Sequence, residues 1–327
     1  NKKTILITGG AGFIGSNLAF YFQENYPKAK VLVLDCFRTG ETFSNGNLKS
    51  FGHFKNLLGF KGVVISGDIN DKKLLKNLEK NYKFDYIFHQ AAISDTTVSE
   101  QDLIIKTNVN AYEDLLKIAI KHKANIIYAS SAATYGNSDK FEVGCEKPNN
   151  AYGFSKVMMD NITAEYLKKD LEISIVGLKY FNVYGPREFF KNKTASMVVQ
   201  FGHQILKGLT PKLFEGSDKI LRDFIYIEDV IQANIKASNP KKSGVYNVGT
   251  GCARSFEDIV NILQNELEIN NGKEYMPNPY VGSYQFFTEA NIETTKKYLD
   301  YEPRFSMEDG IKAYIPEIKR LFQEEVK

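Results

Sequence analysis

The stretch Ile5-Leu6-Ile7-Thr8-Gly9-Gly10-Ala11-Gly12-Phe13-Ile14-Gly15-Ser16 leaves this chain few folds to choose from. Three apolar β-formers read as a buried strand. Gly10, Gly12 and Gly15 follow at the spacing that lets a backbone turn tightly, approach a pyrophosphate and pack a helix against the sheet. Phe13, Leu18 and Phe22 recur near helical spacing, so the turn opens a helix whose N-terminal N–H groups aim at the anion. Val31-Leu32-Val33-Leu34-Asp35 reads as a second buried strand ending in a carboxylate. Asp35 lies 20 residues beyond Gly15, which suits a bond to an adenosine ribose. A glycine turn by itself is often only a turn; the strand before it, the helix after it and the carboxylate make it a dinucleotide site.

The alternation continues. A polar, Gly-containing segment from Arg38 to Gly62 reads as a long loop with one short helix, bordering the adenosine end. Val63 to Asp68 is a third strand, Leu74, Leu75 and Leu78 mark a helix, and Tyr86-Ile87-Phe88-His89 is a fourth strand ending at the small pair Ala91-Ala92. A helix through Leu115, Leu116 and Ile118, a strand Ile126 to Ala129, a helix Tyr152 to Leu167 and a strand Ile173 to Leu178 follow. This regularity predicts an α/β fold, a Rossmann-type doubly wound parallel sheet. It stops near Gly185-Pro186, after which the pattern is that of a smaller mixed α/β substrate domain. The expected division is residues 1–185 for the dinucleotide, with a strand near 243–252 returning to that sheet, and 186–327 mainly for substrate.

Composition narrows the function. With 327 residues the soft prior is two domains at about 150 residues each. Lys and Arg number 42 against 39 Asp and Glu, a net charge of +3 that indicates no nucleic-acid partner. Cys36, Cys145 and Cys252 are scattered and odd in number, which argues against a disulfide framework or a metal site and for a reducing cytoplasm. No basic-then-apolar leader precedes the first strand, and no apolar run approaches the roughly 18 residues of a membrane span. The expectation is a cytoplasmic chain without a membrane partner.

Tyr152-Gly-Phe-Ser-Lys156 places a phenol and an ammonium four apart on a helix, sharing a face. A phenol titrates near 10, so work as a base near neutrality requires roughly 4 kcal/mol of help. One lysine about 4 Å away supplies a similar amount at an effective dielectric near 20, and an oxidised nicotinamide adds more positive charge. Ser131 leaves the end of a strand on the same edge and is placed to hydrogen-bond a substrate hydroxyl that Tyr152 deprotonates, although a turn serine that caps the strand reads equally well.

Together, Thr8-Gly-Gly-Ala-Gly-Phe-Ile-Gly15, Ser130-Ser131 with Tyr135-Gly136, Tyr152-x-x-x-Lys156 and Tyr180-Phe-Asn-Val-Tyr-Gly-Pro-Arg187 resemble the extended short-chain dehydrogenase/reductases that act on nucleotide sugars, over nearly the whole chain. Three stretches are most similar to the branch that inverts C6 of an ADP-linked heptose for the lipopolysaccharide inner core. They are Ser130 to Gly136; Gly185-Pro-Arg-Glu188 with Lys191 and Ala195-Ser196; and Lys212 to Ser217 with Arg222-Asp-Phe224. The resemblance implies Ser131, Tyr152 and Lys156 as catalytic residues. It implies a cofactor set of Gly9, Gly12, Phe13, Ile14, Gly15, Asp35, Cys36, Arg38, Asp68, Ile69, Gln90, Ala91, Ala92, Asn108, Lys156 and Val183. It implies substrate contacts at Asn182, Lys193, Gln200, Phe214, Glu215, Gly216, Ser217, Arg222 and Tyr284, with Arg222 suited to the pyrophosphate. Many relatives carry Arg where this chain has Lys179, a difference read as structural. The resemblance also suggests a homo-oligomer, a pentamer among the options.

If the reaction is such an epimerisation, the ketone must rotate before reduction on its opposite face, and its oxygen then no longer points at Tyr152. A second proton donor is expected across the pocket. Lys191 lies where it is needed, with Lys193 as the alternative, and like-charge repulsion from Arg187 or Lys193 is the expected cause of a lowered pKa. Local signals for the cofactor conflict: Asp35 favours an unphosphorylated ribose, whereas Arg38 suits a 2′-phosphate. The resemblance tips the choice to NADP over NAD. The rivals are a UDP-hexose 4-epimerase, a sugar 4,6-dehydratase, disfavoured because Ala132-Ala133 stand where that branch has Asp-Glu, and a non-catalytic cofactor-sensing protein on the same scaffold.

Overall fold

The computed structural model describes residues 2–279 and 286–327. The strands, in chain order, are β1 (Thr4–Thr8), β2 (Lys30–Asp35), β3 (Val63–Ser66), β4 (Tyr86–His89), β5 (Asn125–Ser131), β6 (Ile175–Tyr180), β7 (Asn182–Tyr184), β8 (Lys212–Phe214), β9 (Leu221–Arg222), β10 (Phe224–Tyr226), β11 (Gly244–Val248), β12 (Arg254–Ser255) and β13 (Glu274–Met276). The α-helices are α1 (Phe13–Asn25), α2 (Lys72–Asn81), α3 (Gln101–Ile104), α4 (Ala111–His122), α5 (Ala151–Leu167), α6 (Met197–Leu206), α7 (Ile227–Ala237), α8 (Phe256–Leu267), α9 (Glu293–Leu299) and α10 (Met307–Leu321).

Seven strands form one sheet in the order β11-β6-β5-β4-β1-β2-β3, and every pairing in it is parallel. The order reverses at β1, so a crevice opens beside β1 and β4 at the strand ends, where α/β sheets bind ligands. Two-residue alternation splits the central strands between two cores. Ile5 and Ile7 pack with Phe22, Val33 and Phe88 on one face, while Leu6 packs with Leu34, Leu75, Leu115 and Ile126 on the other. Each such side chain contributes about 1.5–3 kcal/mol of burial, so helices on both faces make the parallel sheet stable.

The C-terminal half adds two-stranded pairs, β7 with β10, β8 with β13 and β9 with β12, and packs α6, α8 and α10 through Val199, Leu263 and Ile318. Between α3 and α4, Ile105–Asn110 is a π-helical stretch, a form concentrated at functional sites. The sequence pattern also placed β6 two residues early: Ile173 to Leu178 was expected, and pairing with β5 and β11 sets the strand at Ile175–Tyr180.

Candidate active site

After β1 the chain turns through Gly9, whose φ is +69° and whose N–H donates to the Leu34 carbonyl at 2.8 Å. A Cβ on Gly15 would overlap the Gly9 carbonyl oxygen, and one on Gly10 the Val33 side chain, so neither position admits a side chain. Gly12 differs, since its Cβ would meet only the Gly9 oxygen, at 3.2 Å. It is the N-cap of α1 and lends that helix no side-chain cap. The first N–H groups beside Phe13 and Ile14 therefore suit an anion, and the turn fits a dinucleotide pyrophosphate.

At the adenosine end, the buried Asp35 carboxylate accepts from Ala11 N at 3.0 Å and Phe37 N at 2.8 Å. Burial raises its pKa, and those two N–H bonds oppose the rise. Cys36 is exposed beside it, and at the end of β3 Asp68 is exposed and Ile69 buried. Arg38 sends its guanidinium to the Phe190 carbonyl and lies 5.7 Å over the Phe190 ring, with Nε buried and without a partner among the described residues.

The registers Thr8 with His89, His89 with Tyr128 and Ser131 with Tyr180 bring the ends of β1, β4, β5 and β6 to one edge. Thr8 Oγ1 accepts from Gln90 N and Ala91 N, both at 3.1 Å, so its own proton goes to His89 Nδ1, 2.7 Å away. Ala91 N would stand 2.8 Å from a Cβ on Gly9, which brings this loop against the glycine turn. Ala92 is partly exposed next to it. The Gln90 side chain is engaged by Tyr180, whose hydroxyl donates to Oε1 at 2.9 Å. Asn108, on the π-helical stretch, bonds both backbone groups of Ile93, at 2.8 and 3.0 Å, and Ser155 Oγ at 3.0 Å. It fastens the loop after β4 to α5.

Asn150 caps α5 by accepting from Gly153 N at 2.7 Å, which places Tyr152 in the first turn. Ser131, whose Oγ accepts from Ala133 N at 3.0 Å, lies near enough to the phenol to oppose a rise in its pKa. Lys156 Nζ donates to the Ala129 carbonyl at 2.6 Å and stands 5.8 Å from the centre of the Tyr152 ring. Burial pushes the Lys156 ammonium down to about 8, with Asp160 opposing. The expected lowering of Tyr152 by that ammonium is not what the protein alone produces. Burial raises the phenol, only Ser131 opposes it, and the lysine is turned to Ala129.

Lys191 approaches from the C-terminal half. Its loop is anchored by the buried Glu188 carboxylate, which accepts from Gly185 N at 2.8 Å, Ser196 N at 2.6 Å, Ser196 Oγ at 2.9 Å and Tyr314 Oη at 3.0 Å. Lys191 Nζ stands 5.6 Å over the Phe13 ring, and with Thr194 it faces Ser94, Asp95, Thr96 and Thr97 across a cavity of about 310 Å³. Lys193 is exposed. Burial lowers the Lys191 ammonium and Glu188 opposes it. The expected cause, repulsion from Arg187 or Lys193, is thereby corrected: the Arg187 guanidinium is turned to the Asn56 carbonyl at 2.5 Å and the Phe20 ring.

Asn182 is exposed beyond β6 with Val183 beside it, and its backbone N donates to the carbonyl of Asp223, the neighbour of Arg222. Gln200 binds the lysine loop through the Ala195 carbonyl at 2.6 Å. Phe214, Glu215 and Gly216 lead from β8 into a turn where Gly216 has φ +77°, and the buried Ser217 Oγ has no partner among the described residues. Tyr284 lies outside the described residues.

Three features of the site escaped the sequence reading. Ser94 to Thr97 line the cavity opposite Lys191, and Asp-Thr-Thr after Ala91-Ala92 was the available signal. Glu188 holds the lysine loop, hinted at only by its place in Gly185-Pro-Arg-Glu188. Asp160 continues the Tyr152, Lys156 spacing by another four residues, which puts a carboxylate on the buried face of α5. Among the described residues no group of three or more His, Cys, Asp or Glu side chains is placed to hold a metal, and no helix is long and apolar enough to cross a membrane.

A glycine turn, a Tyr-x-x-x-Lys helix and a serine at one edge of a parallel sheet define a nicotinamide-dependent short-chain enzyme scaffold. The NAD dependent epimerase/dehydratase family matches residues 5–249, and the chain belongs to it. Among curated relatives, the ADP-L-glycero-D-manno-heptose-6-epimerase of Brachyspira hyodysenteriae is 36% identical over 319 residues, 95% of this chain and 96% of the relative. The crystal structure of Helicobacter pylori ADP-L-glycero-D-manno-heptose-6-epimerase is 53% identical, covers 97% of this chain and 96% of its own, and superposes with a TM-score of 0.87. The UDP-glucose 4-epimerase of Thermotoga maritima, solved with UDP-glucose, is 28% identical over 98% of this chain and 100% of its own, at a TM-score of 0.84.

Proposed function

We propose that this chain inverts C6 of ADP-D-glycero-D-manno-heptose to give the L-glycero-D-manno sugar, with NADP as its dinucleotide. The observation that carries the reading is the 53% identity, over 97% of the chain, to a heptose 6-epimerase of the same fold. A bound nicotinamide would supply a reversible hydride acceptor for C6. Tyr152 takes the proton of the C6 hydroxyl while Ser131 hydrogen-bonds the same oxygen, and Lys156 supplies positive charge beside the phenol. After the carbonyl rotates, Lys191 gives the oxygen a proton from the far side of the cavity. Configuration inverts with no net redox change.

In this reading residues 1–185 with β11 hold the dinucleotide, and the rest of 186–327 holds the sugar nucleotide. Arg222 meets the pyrophosphate, and Asn182, Lys193, Gln200, Tyr284 and Phe214 to Ser217 surround the ADP-sugar. NADP is favoured because both Asp35 oxygens already serve backbone N–H groups, whereas Arg38 has an uncommitted Nε. The reading includes a cytoplasmic homo-oligomer, a pentamer among the options. Its support is three free thiols and a groove of about 590 Å³ lined by Ile105, Val109, Met158 and Ile162 beside the exposed Phe154.

The test is to denature the pure protein and identify the released dinucleotide by mass spectrometry. Fresh protein is then incubated with ADP-D-glycero-D-manno-heptose while C6 is followed by NMR, and native mass spectrometry counts subunits. Inversion at C6 supports the reading. Interconversion of UDP-glucose and UDP-galactose without it transfers the assignment to the 4-epimerases.

A further inference from the structure

Beneath the end of β5 lies a set of charges, a buried ammonium with two partly exposed carboxylates, that the proposed chemistry does not use. Asp160 Oδ1 accepts from Tyr128 Oη at 2.7 Å, and Oδ2 accepts from Ser130 Oγ at 3.0 Å and Lys179 Nζ at 2.7 Å. Lys179, on β6 and wholly buried, also donates to Thr134 Oγ1 at 2.8 Å and stands 3.5 Å from Glu146 Oε1. Thr134 passes its own proton to the Ser131 carbonyl at 2.7 Å. Lys156, one turn before Asp160, holds the Ala129 carbonyl. Ala129, Ser130 and Ser131 are thus each fastened by a separate bond, two directly to α5 and the third through Thr134 to the ammonium of Lys179.

Stability is a poor reason for this arrangement. Burying the Lys179 ammonium costs several kcal/mol in desolvation, and well-packed apolar replacements of buried ion pairs are often neutral or better. What the arrangement does supply is register. The Ser131 and Tyr152 hydroxyls come from different elements, and proton transfer between a substrate oxygen and Tyr152 depends steeply on their mutual placement, with a misplacement of about 1 Å costing roughly 10²-fold.

We propose that Lys179 and Asp160 are positioning residues that set the reach between Ser131 and Tyr152, and through it the rate of the chemical step, without contributing to binding. The inference rests on the roles given above to Ser131, Tyr152 and Lys156. Lys179→Met should lower kcat by about 10- to 100-fold while leaving KM for ADP-heptose and the dinucleotide content unchanged. Lys179→Arg keeps the charge and both donors, and should return kcat to within about threefold of the parent enzyme. Thr134→Val leaves the ion pair intact but cuts the link to Ser131, and should lower kcat by about 5- to 10-fold at constant KM.

Crystal structures of Lys179→Met and Thr134→Val should show the Ser131–Tyr152 hydroxyl distance lengthened by about 0.5 Å or more. If Lys179→Met does not fold, Thr134→Val and Lys179→Arg decide. Parental kcat in Thr134→Val with an unchanged hydroxyl distance overturns the proposal, as does a loss confined to KM. Failure of the parent enzyme to invert ADP-heptose counts against the proposed function alone, because the hydroxyl distances are read without substrate.

Discussion

The Arg38 guanidinium donates to the carbonyl of Phe190, the residue immediately before Lys191, so the loop after β2 is tied to the loop that carries Lys191. His53 stacks on the same Phe190 ring at 3.8 Å and 11°. One guanidinium and one imidazole therefore both engage Phe190.

Arg38→Ala should cost NADP about 10-fold or more in affinity relative to NAD, the worth of one charge-assisted hydrogen bond. Isothermal titration of the variant with each dinucleotide reads the ratio. An unchanged ratio removes Arg38 as the selector.

Tyr152→Phe deletes one oxygen and leaves the ring packed, so folding and dinucleotide content should match the parent. Epimerisation should fall by at least ~10², the usual worth of a positioned acid or base. Turnover close to the parent's would end the assignment of Tyr152 as the proton acceptor.

Lys191 and Lys193 are two residues apart, yet only Lys191 lines the cavity. Lys191→Met should bind dinucleotide and ADP-heptose and lose epimerisation by a factor comparable to Tyr152→Phe, while Lys193→Met should stay within about threefold of the parent in kcat. The reverse pattern moves the role to Lys193. Two fully active variants leave Tyr152 as the single acid and base.

His89 is buried against Thr8, and burial together with the nearby Lys156 pushes it down to about 3 from an ordinary 6.5. Above pH 6.5 it is neutral folded or unfolded and costs nothing. Between 6.5 and 3 the unfolded chain takes up a proton that the folded chain refuses, so stability falls as pH falls, by about 2 kcal/mol at pH 5. Thermal melts between pH 7 and pH 5 should show a shallower decline in His89→Asn than in the parent. Parallel declines would place the acid sensitivity elsewhere.

The glycine turn was legible because its constraints are steric and local: Gly10 and Gly15 stand where a side chain would strike Val33 or the Gly9 carbonyl. The sheet was legible because parallel strands covered on both faces read as apolar runs at regular intervals. The ionisation of the site was not. Spacing showed that Lys156 shares a face with Tyr152, but not that its ammonium turns to Ala129 or that burial raises the phenol. The cause of the Lys191 shift was misread for the same reason, since desolvation depends on the whole surrounding chain and no short motif encodes it. Asp160 and Lys179 lie 19 residues apart in sequence and meet only because α5 crosses over β5 and β6.

Ile105–Asn110 gives the helix before α4 a wider winding than its neighbours. A π-turn accommodates one more residue than an α-turn, and each α-helical residue advances about 100° around the axis. Losing any one residue here would let the stretch relax to ordinary α-helix and swing Asn108 by about that angle, away from Ile93 and Ser155. This segment should therefore tolerate many substitutions of type but none of length, and in an alignment of homologues its signature would be a constant residue count rather than a constant sequence.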